Sequence, residues 1–200
     1  MAVNIENYIP TVQYNGLNTQ KAQSITSSAG AYNFDYSSST GTFKTGTGAV
    51  TINGPLTLAS GLTAKVISGS GATATLTASE SGSVVLFDSA AGIVFTLPTP
   101  AVGLYFDFIV KTTISSNAAK VITAATGTQF LTGHILTSNS GTVAGWLGDG
   151  STDVSVSMNG TTTGGIEGAH IRFVAISTTL WAVEGVTSAS GTTATPFATS

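Results

Sequence analysis

The sequence predicts an all-β protein: a β-sandwich or barrel-like domain preceded by an extended N-terminal arm. Three observations carry that expectation. The 200 residues include 34 Thr, 24 Ser and 24 Gly, and only 8% are charged, against roughly 25% in an ordinary globular chain. Threonine is β-branched and suits a pleated strand, whereas Gly and Ser fill turns. Apolar residues alternate with a spacing of two over short runs, and no long amphipathic helix, heptad pattern or fixed-period repeat is visible. Finally, strand signals are dense only after about residue 60. The chain therefore divides into an arm over 1–60, a β domain over 61–188 and a small, polar, flexible tail over 189–200.

In the arm, apolar residues are spaced rather than clustered: Tyr8, Ile9, Val12, Tyr14 and Leu17 surround the early Pro10. Tyr32-Asn33-Phe34-Asp35-Tyr36 is a short alternating strand with its aromatics on one face, bounded by Ser- and Gly-rich turns. Residues 45–58 resemble one rung of a β-solenoid or fibre shaft and end in Asn53-Gly54-Pro55-Leu56-Thr57-Leu58. This region is thin in large apolar residues, so an arm packed on a neighbouring subunit is the economical expectation.

The domain begins with an alternating stretch at 72–77 and the apolar run Val84-Val85-Leu86-Phe87, then a turn at Asp88–Gly92. Ile93–Leu97 follows and stops at Pro98 and Pro100, which cannot donate ladder hydrogen bonds. Leu104–Lys111 is the strongest strand. Phe106, Phe108 and Val110 form its core face, while Tyr105, Asp107, Ile109 and Lys111 form an amphipathic one on which Asp107 and Lys111 could bridge or simply be solvated. Lys120–Thr123 and Gln129–Leu131 come next. Strands at 134–137 and 142–147 flank Ser138-Asn139-Ser140-Gly141, a hairpin signal. Val154–Met158 alternates cleanly before the turn pair Asn159-Gly160. The best hairpin joins Ala169–Ile176 to Leu180–Val186. The sum is roughly eight to ten strands, as sandwiches and barrels use.

Several function classes fall away. The net charge is −3, with five scattered lysines and Arg172, so no basic stripe exists to neutralise phosphates and direct nucleic-acid binding is not expected. No run reaches the ~18 apolar residues that span a bilayer, so no membrane partner is expected, and the first residues lack the features of a signal peptide. Cysteine is absent, which removes disulfides, thiolate metal sites and a cysteine nucleophile. So few charges leave two ways to a stable surface: hydroxyl groups, or burial against partners.

Each candidate for chemistry has a plainer assignment. His134 and His170 are the only histidines; a Ser-His-Asp triad would need one of them oriented by a carboxylate, and a solvated strand histidine, with His170 opening an edge-like strand beside Arg172, is the simpler expectation. Asp149-Gly150-Ser151-Thr152-Asp153 offers oxygen ligands on a glycine-rich turn but lacks the distal acids of a calcium loop, so an Asx-type turn is expected. Glu167 and Glu184 could face each other across the last hairpin as a carboxylate pair, or stand apart as rim acids. Trp146 and Trp181 could stack on sugar, but both sit inside strand runs, which favours packing. The Gly-rich steps at 45–48 and 164–165 lack the Lys and helix of a phosphate loop. No catalytic residue, metal site or cofactor is expected.

Two segments carry a resemblance. Leu76–Pro98, continuing through Gly103–Val110, has the order acid-Ser-Gly, apolar strand, Asp88-Ser89-Ala90-Ala91-Gly92, apolar strand, Leu97-Pro98, Gly103-x-x-aromatic; the second is Leu180–Thr192. Over about 72–186 the chain resembles capsid decoration (cement) proteins and related β-rich virion structural proteins of tailed bacteriophages. The resemblance implies a non-enzymatic protein on the outer capsid surface that bridges neighbouring subunits of the major capsid protein, associates with itself as a homotrimer and stabilises the head. The arm supplies the expected contacts with capsid or a neighbouring subunit: Tyr8, Ile9, Tyr14, Leu17, Tyr32, Phe34 and Tyr36; packing onto their own β domain is the other assignment. Because the same module is similar to parts of tail and fibre proteins, the alternative is a tail-fibre or receptor-binding module contacting host-surface glycan. A virion-borne glycan depolymerase is a third class, supported only by sparse acids and two histidines.

Overall fold

Turns rich in Gly, Ser and Asn cut the apolar runs into short strands, and the computed structural model divides these between two sheets. It describes residues 63–69 and 71–200, all within a unit spanning Thr57–Ser200. The expected arm, with its contact residues Tyr8 to Tyr36, and the shaft-like stretch at 45–58 lie outside the described residues. Among those described there is no α-helix.

The strands are β1 (Val66–Ser68), β2 (Thr73–Thr75), β3 (Val84–Phe87), β4 (Val94–Thr96), β5 (Tyr105–Val110) and β6 (Ala119–Ile122), followed by β7 (Phe130–Asn139), β8 (Thr142–Asp149), β9 (Ser155–Met158), β10 (His170–Ala175), β11 (Leu180–Ser188) and β12 (Phe197–Ala198). Seven form one sheet in the order β1-β3-β5-β10-β11-β7-β8, and five form the other in the order β12-β9-β6-β4-β2. The fold is an all-β sandwich with two mixed sheets.

Its first half is wound. Odd strands β1, β3 and β5 lie parallel in the large sheet, and even strands β2, β4 and β6 lie parallel in the small one, so the chain coils from sheet to sheet. Val66, Val84 and Asp107 stand in line across one wall; Thr73, Val94 and Lys120 do so across the other. The intervals between aligned residues are unequal, which explains why the sequence shows no fixed period. Strand alternation marks a face, not a pairing partner, so this coil is not visible in the periodicity.

The second half is built on hairpins, as expected at both places. β7 and β8 join through Ser140-Gly141, both at positive φ (34° and 102°), which matches the twist of a two-residue hairpin. β10 and β11 pair antiparallel from His170↔Val186 to Ala175↔Trp181. β10 is nevertheless not an edge: β5 pairs on its other side, so His170 and Arg172 sit in the middle of the large sheet.

The core lies between the sheets. Phe95 of the small sheet meets Phe87 edge-on, with ring centroids 5.0 Å apart, and Phe108 at 5.6 Å, while Phe108 reaches Phe173 at 5.3 Å. Edge-to-face pairs of this kind add about 0.5–1.5 kcal/mol each beyond area burial. Phe106, Phe108 and Val110 point inward, at most 2% exposed, as their alternation predicts.

Residues 189–200 depart from the expected flexible tail. Gly191 and Ala194 donate backbone hydrogen bonds to Thr161 and Thr162, Asn139 Nδ2 donates to the Gly191 carbonyl, and β12 pairs with β9. Phe197 is 6% exposed and belongs to the core. A side chain on Gly148 would collide with its ring, and Gly148 stands opposite Gly133 in the β7–β8 register. Gly148 thus leaves the space that this one aromatic fills. A small, polar segment gave no sign of it, because a single anchor has no period.

Candidate functional site

Alternation that buries every second residue of the large sheet presents the others on its outer face. Aligned by register, one row across β3, β5, β10, β11, β7 and β8 is Val84, Asp107, Arg172, Glu184, His134 and Leu147. The next row is Leu86, Ile109, His170, Val186, Leu136 and Gly145. One row is charged at its centre and apolar at its ends; its neighbour is apolar with a single histidine. Leu147 is 79% exposed, Val143 68%, Val186 60% and Leu136 40%. Large apolar side chains left open in this way, rimmed by polar ones, mark an interaction surface.

The polar centre is ordered. His170 Nε2 stands 3.2 Å from Asp107 Oδ1, and Arg172 Nε lies 3.7 Å from the same oxygen. The Arg172 guanidinium sits 4.7 Å from the centroid of the Tyr105 ring, a cation–π geometry. Asp107 is therefore engaged across the β5–β10 pair rather than by Lys111 along its own strand. A shallow depression of about 260 Å³ lies here, lined by His134, Leu136, His170, Arg172, Glu184, Gly185 and Val186. Its lining has no hydroxyl nucleophile, so the His170–Asp107 pair has nothing here to activate for acyl transfer. Among the described residues, no cluster of three or more His, Asp or Glu could hold a metal ion.

The other candidates have structural roles. Asp149 Oδ1 accepts the backbone N–H groups of Ser151, Thr152 and Asp153, and Oδ2 accepts the Thr152 hydroxyl. That is an Asx-type turn with the carboxylate directed at its own backbone. The Thr152 hydroxyl, then the N–H donors, hold the Asp149 carboxyl far below the usual carboxylate range. Glu80 is lowered more mildly by Lys65, 2.8 Å away, and by the Thr77 N–H. Glu184 stands opposite Arg172 and His134 in register, not opposite Glu167, whose N–H donates to Thr113 Oγ1 in the approach to β10. No carboxylate pair forms across the hairpin. Trp181 is fully buried, 6.1 Å from the Phe106 ring, and Trp146 packs against the core; the glycan-stacking role does not fit Trp181, and Trp146 spends its ring on packing.

The apolar members of the face, Leu136, Val143, Leu147 and Val186, did not stand out in the sequence. Their signal was the residue-by-residue alternation in 134–147 and 180–186, which identifies outward positions but not which strands lie side by side. No protein-family model matches the sequence, and no curated protein matches it.

Proposed function

We propose that this protein is a structural component of a bacteriophage virion, a capsid decoration protein that bridges neighbouring capsid subunits and stabilises the head. The observation that carries the reading is the outer face of the large sheet, an exposed apolar and ion-paired surface with no hydroxyl nucleophile in its depression. Such a face serves assembly better than chemistry. The resemblance of Leu76–Val110 and Leu180–Thr192 to decoration proteins names the kind of assembly. In this reading the arm binds the major capsid protein through Tyr8, Ile9, Tyr14, Leu17, Tyr32, Phe34 and Tyr36, adding apolar burial and backbone pairing. Each contact is modest, and repetition over a symmetric shell multiplies it.

The test is removal of residues 1–60 followed by decoration of empty capsids. Loss of occupancy with the β domain still folded is expected; full occupancy by the truncated protein overturns the arm's role. One observation favours a tail-fibre module instead: the parallel coil β1–β6, an architecture that can be extended by repetition. Immunogold labelling of intact particles separates the two, with label expected on heads and label confined to tails sinking the decoration reading.

A further inference from the structure

We infer that the outer face of the seven-stranded sheet is a two-fold contact between two copies of this chain, with the axis running along the strands between β10 and β11. The order of charges across the face is the argument. From β5 to β7 the row reads Asp107, Arg172, Glu184, His134. A two-fold axis between β10 and β11 lays β10 on the partner's β11 and β5 on the partner's β7. Arg172 then faces the partner's Glu184, Glu184 faces the partner's Arg172, and Asp107 faces the partner's His134. Carboxylate meets carboxylate at none of these positions. An axis half a strand spacing away, centred on β10, loses this: it stacks Arg172 on the partner's Arg172 and Asp107 on the partner's Glu184.

The apolar residues fall in step with the same axis. Val84 meets the partner's Leu147, and Ile109 meets the partner's Leu136. The six overlapping strands, β3 to β8 in sheet order, at ~4.8 Å spacing, and about six residues of ~3.3 Å rise give a footprint of roughly 30 Å by 20 Å. Its accessible area approaches the ~800 Å² per partner that stable complexes bury. A self-complementary face of this kind makes a pair, because an isologous contact closes on itself; the trimer implied by the resemblance would need a separate contact. The inference is tested on the purified full chain without capsid, so it stands or falls independently of the decoration reading.

The experiment is sedimentation equilibrium of wild type, Arg172→Glu, Glu184→Arg and the double reversal. A wild-type dimer is expected, with each single reversal raising its dissociation constant about 100-fold by placing like charges opposite each other. The double reversal restores the pairing and returns affinity to within about tenfold of wild type. Leu147→Lys, at a position 79% exposed and so harmless to the monomer fold, weakens the dimer independently, with circular dichroism confirming that the fold is kept. A wild-type chain monomeric at about 100 µM, an oligomer indifferent to the single reversals, or a double reversal as weak as the singles would each overturn the inference.

Discussion

Asp149 shows how much one carboxylate can organise. It gathers three backbone N–H groups and a hydroxyl at the mouth of the β8–β9 connection. Asp149→Ala removes every acceptor and lowers the melting temperature at pH 7; Asp149→Asn keeps one oxygen acceptor and loses less. The folded pKa lies below the unfolded value, near 3.8, so the stabilisation is complete above that value and is lost as pH falls below it. The gap in melting temperature between wild type and Asp149→Ala therefore closes in acid, and a gap unchanged at pH 3, well under the ordinary aspartate value of ~3.9, would contradict this account. Gly133 is constrained more absolutely. Its φ is 111°, and a Cβ there would lie 2.1 Å from the Val183 carbonyl oxygen. Gly133→Ala should cost about 3 kcal/mol or more in a urea titration. The turn at Asp149 was legible because an Asp-Gly-Ser-Thr-Asp run has a local hydrogen-bonding logic. The demand at Gly133 was not, because the carbonyl that imposes it lies fifty residues away on another strand.

At the scale of elements, hairpins were legible and parallel pairings were not. Ser140-Gly141 and the 177–179 turn name both strands they join, since an antiparallel partner is the next run of sequence. The pairing of β7 with β11, from Leu180↔Phe130 to Ser188↔Ser138, has no such marker. For that reason only half of the outer face is legible in the sequence: alternation puts Tyr105, Asp107 and Ile109 on one amphipathic face of β5, while Arg172, Glu184 and His134, which complete the row, lie on strands whose adjacency no local signal gives. The terminal strand β12 makes the same point with a single residue. Phe197→Ala empties the hollow over Gly148 and should lower stability by about 3 kcal/mol with little change in the urea m-value, since the rest of both sheets remains to unfold. If Phe197→Ala leaves the urea midpoint unmoved, β12 contributes nothing to closing the sandwich.

Across the whole molecule, the two sheets set different conditions on their surfaces. The large sheet keeps most of its few charged residues on one face, with Asp107, Arg172 and Glu184 adjacent; the outward positions of the small sheet are mostly small, such as Thr73, Thr75, Thr96 and Ser157, beside Val94, Lys120 and Ile122. In a chain with 8% charged residues, three of them side by side on one face give that face the means to choose a partner, because charge patterning discriminates between surfaces more than it adds affinity. The β7–β11 pairing also sets the order of events at synthesis. β7 and β8 can form their hairpin as soon as both have emerged, yet the neighbour that ties them to β5 and β10 is β11, which begins at Leu180. Until then the growing chain holds an incomplete sheet with the inward faces of Leu131 and Ile135 uncovered by Trp181 and Val183. Distant pairings of this sort fold slowly, in milliseconds to seconds or longer, and leave apolar edges open to other nascent chains. Stopped-flow refolding of the full chain is therefore expected to be slow, and yield should fall as protein concentration rises during refolding; a sub-millisecond, concentration-independent recovery would show that the sheet closes by a shorter route.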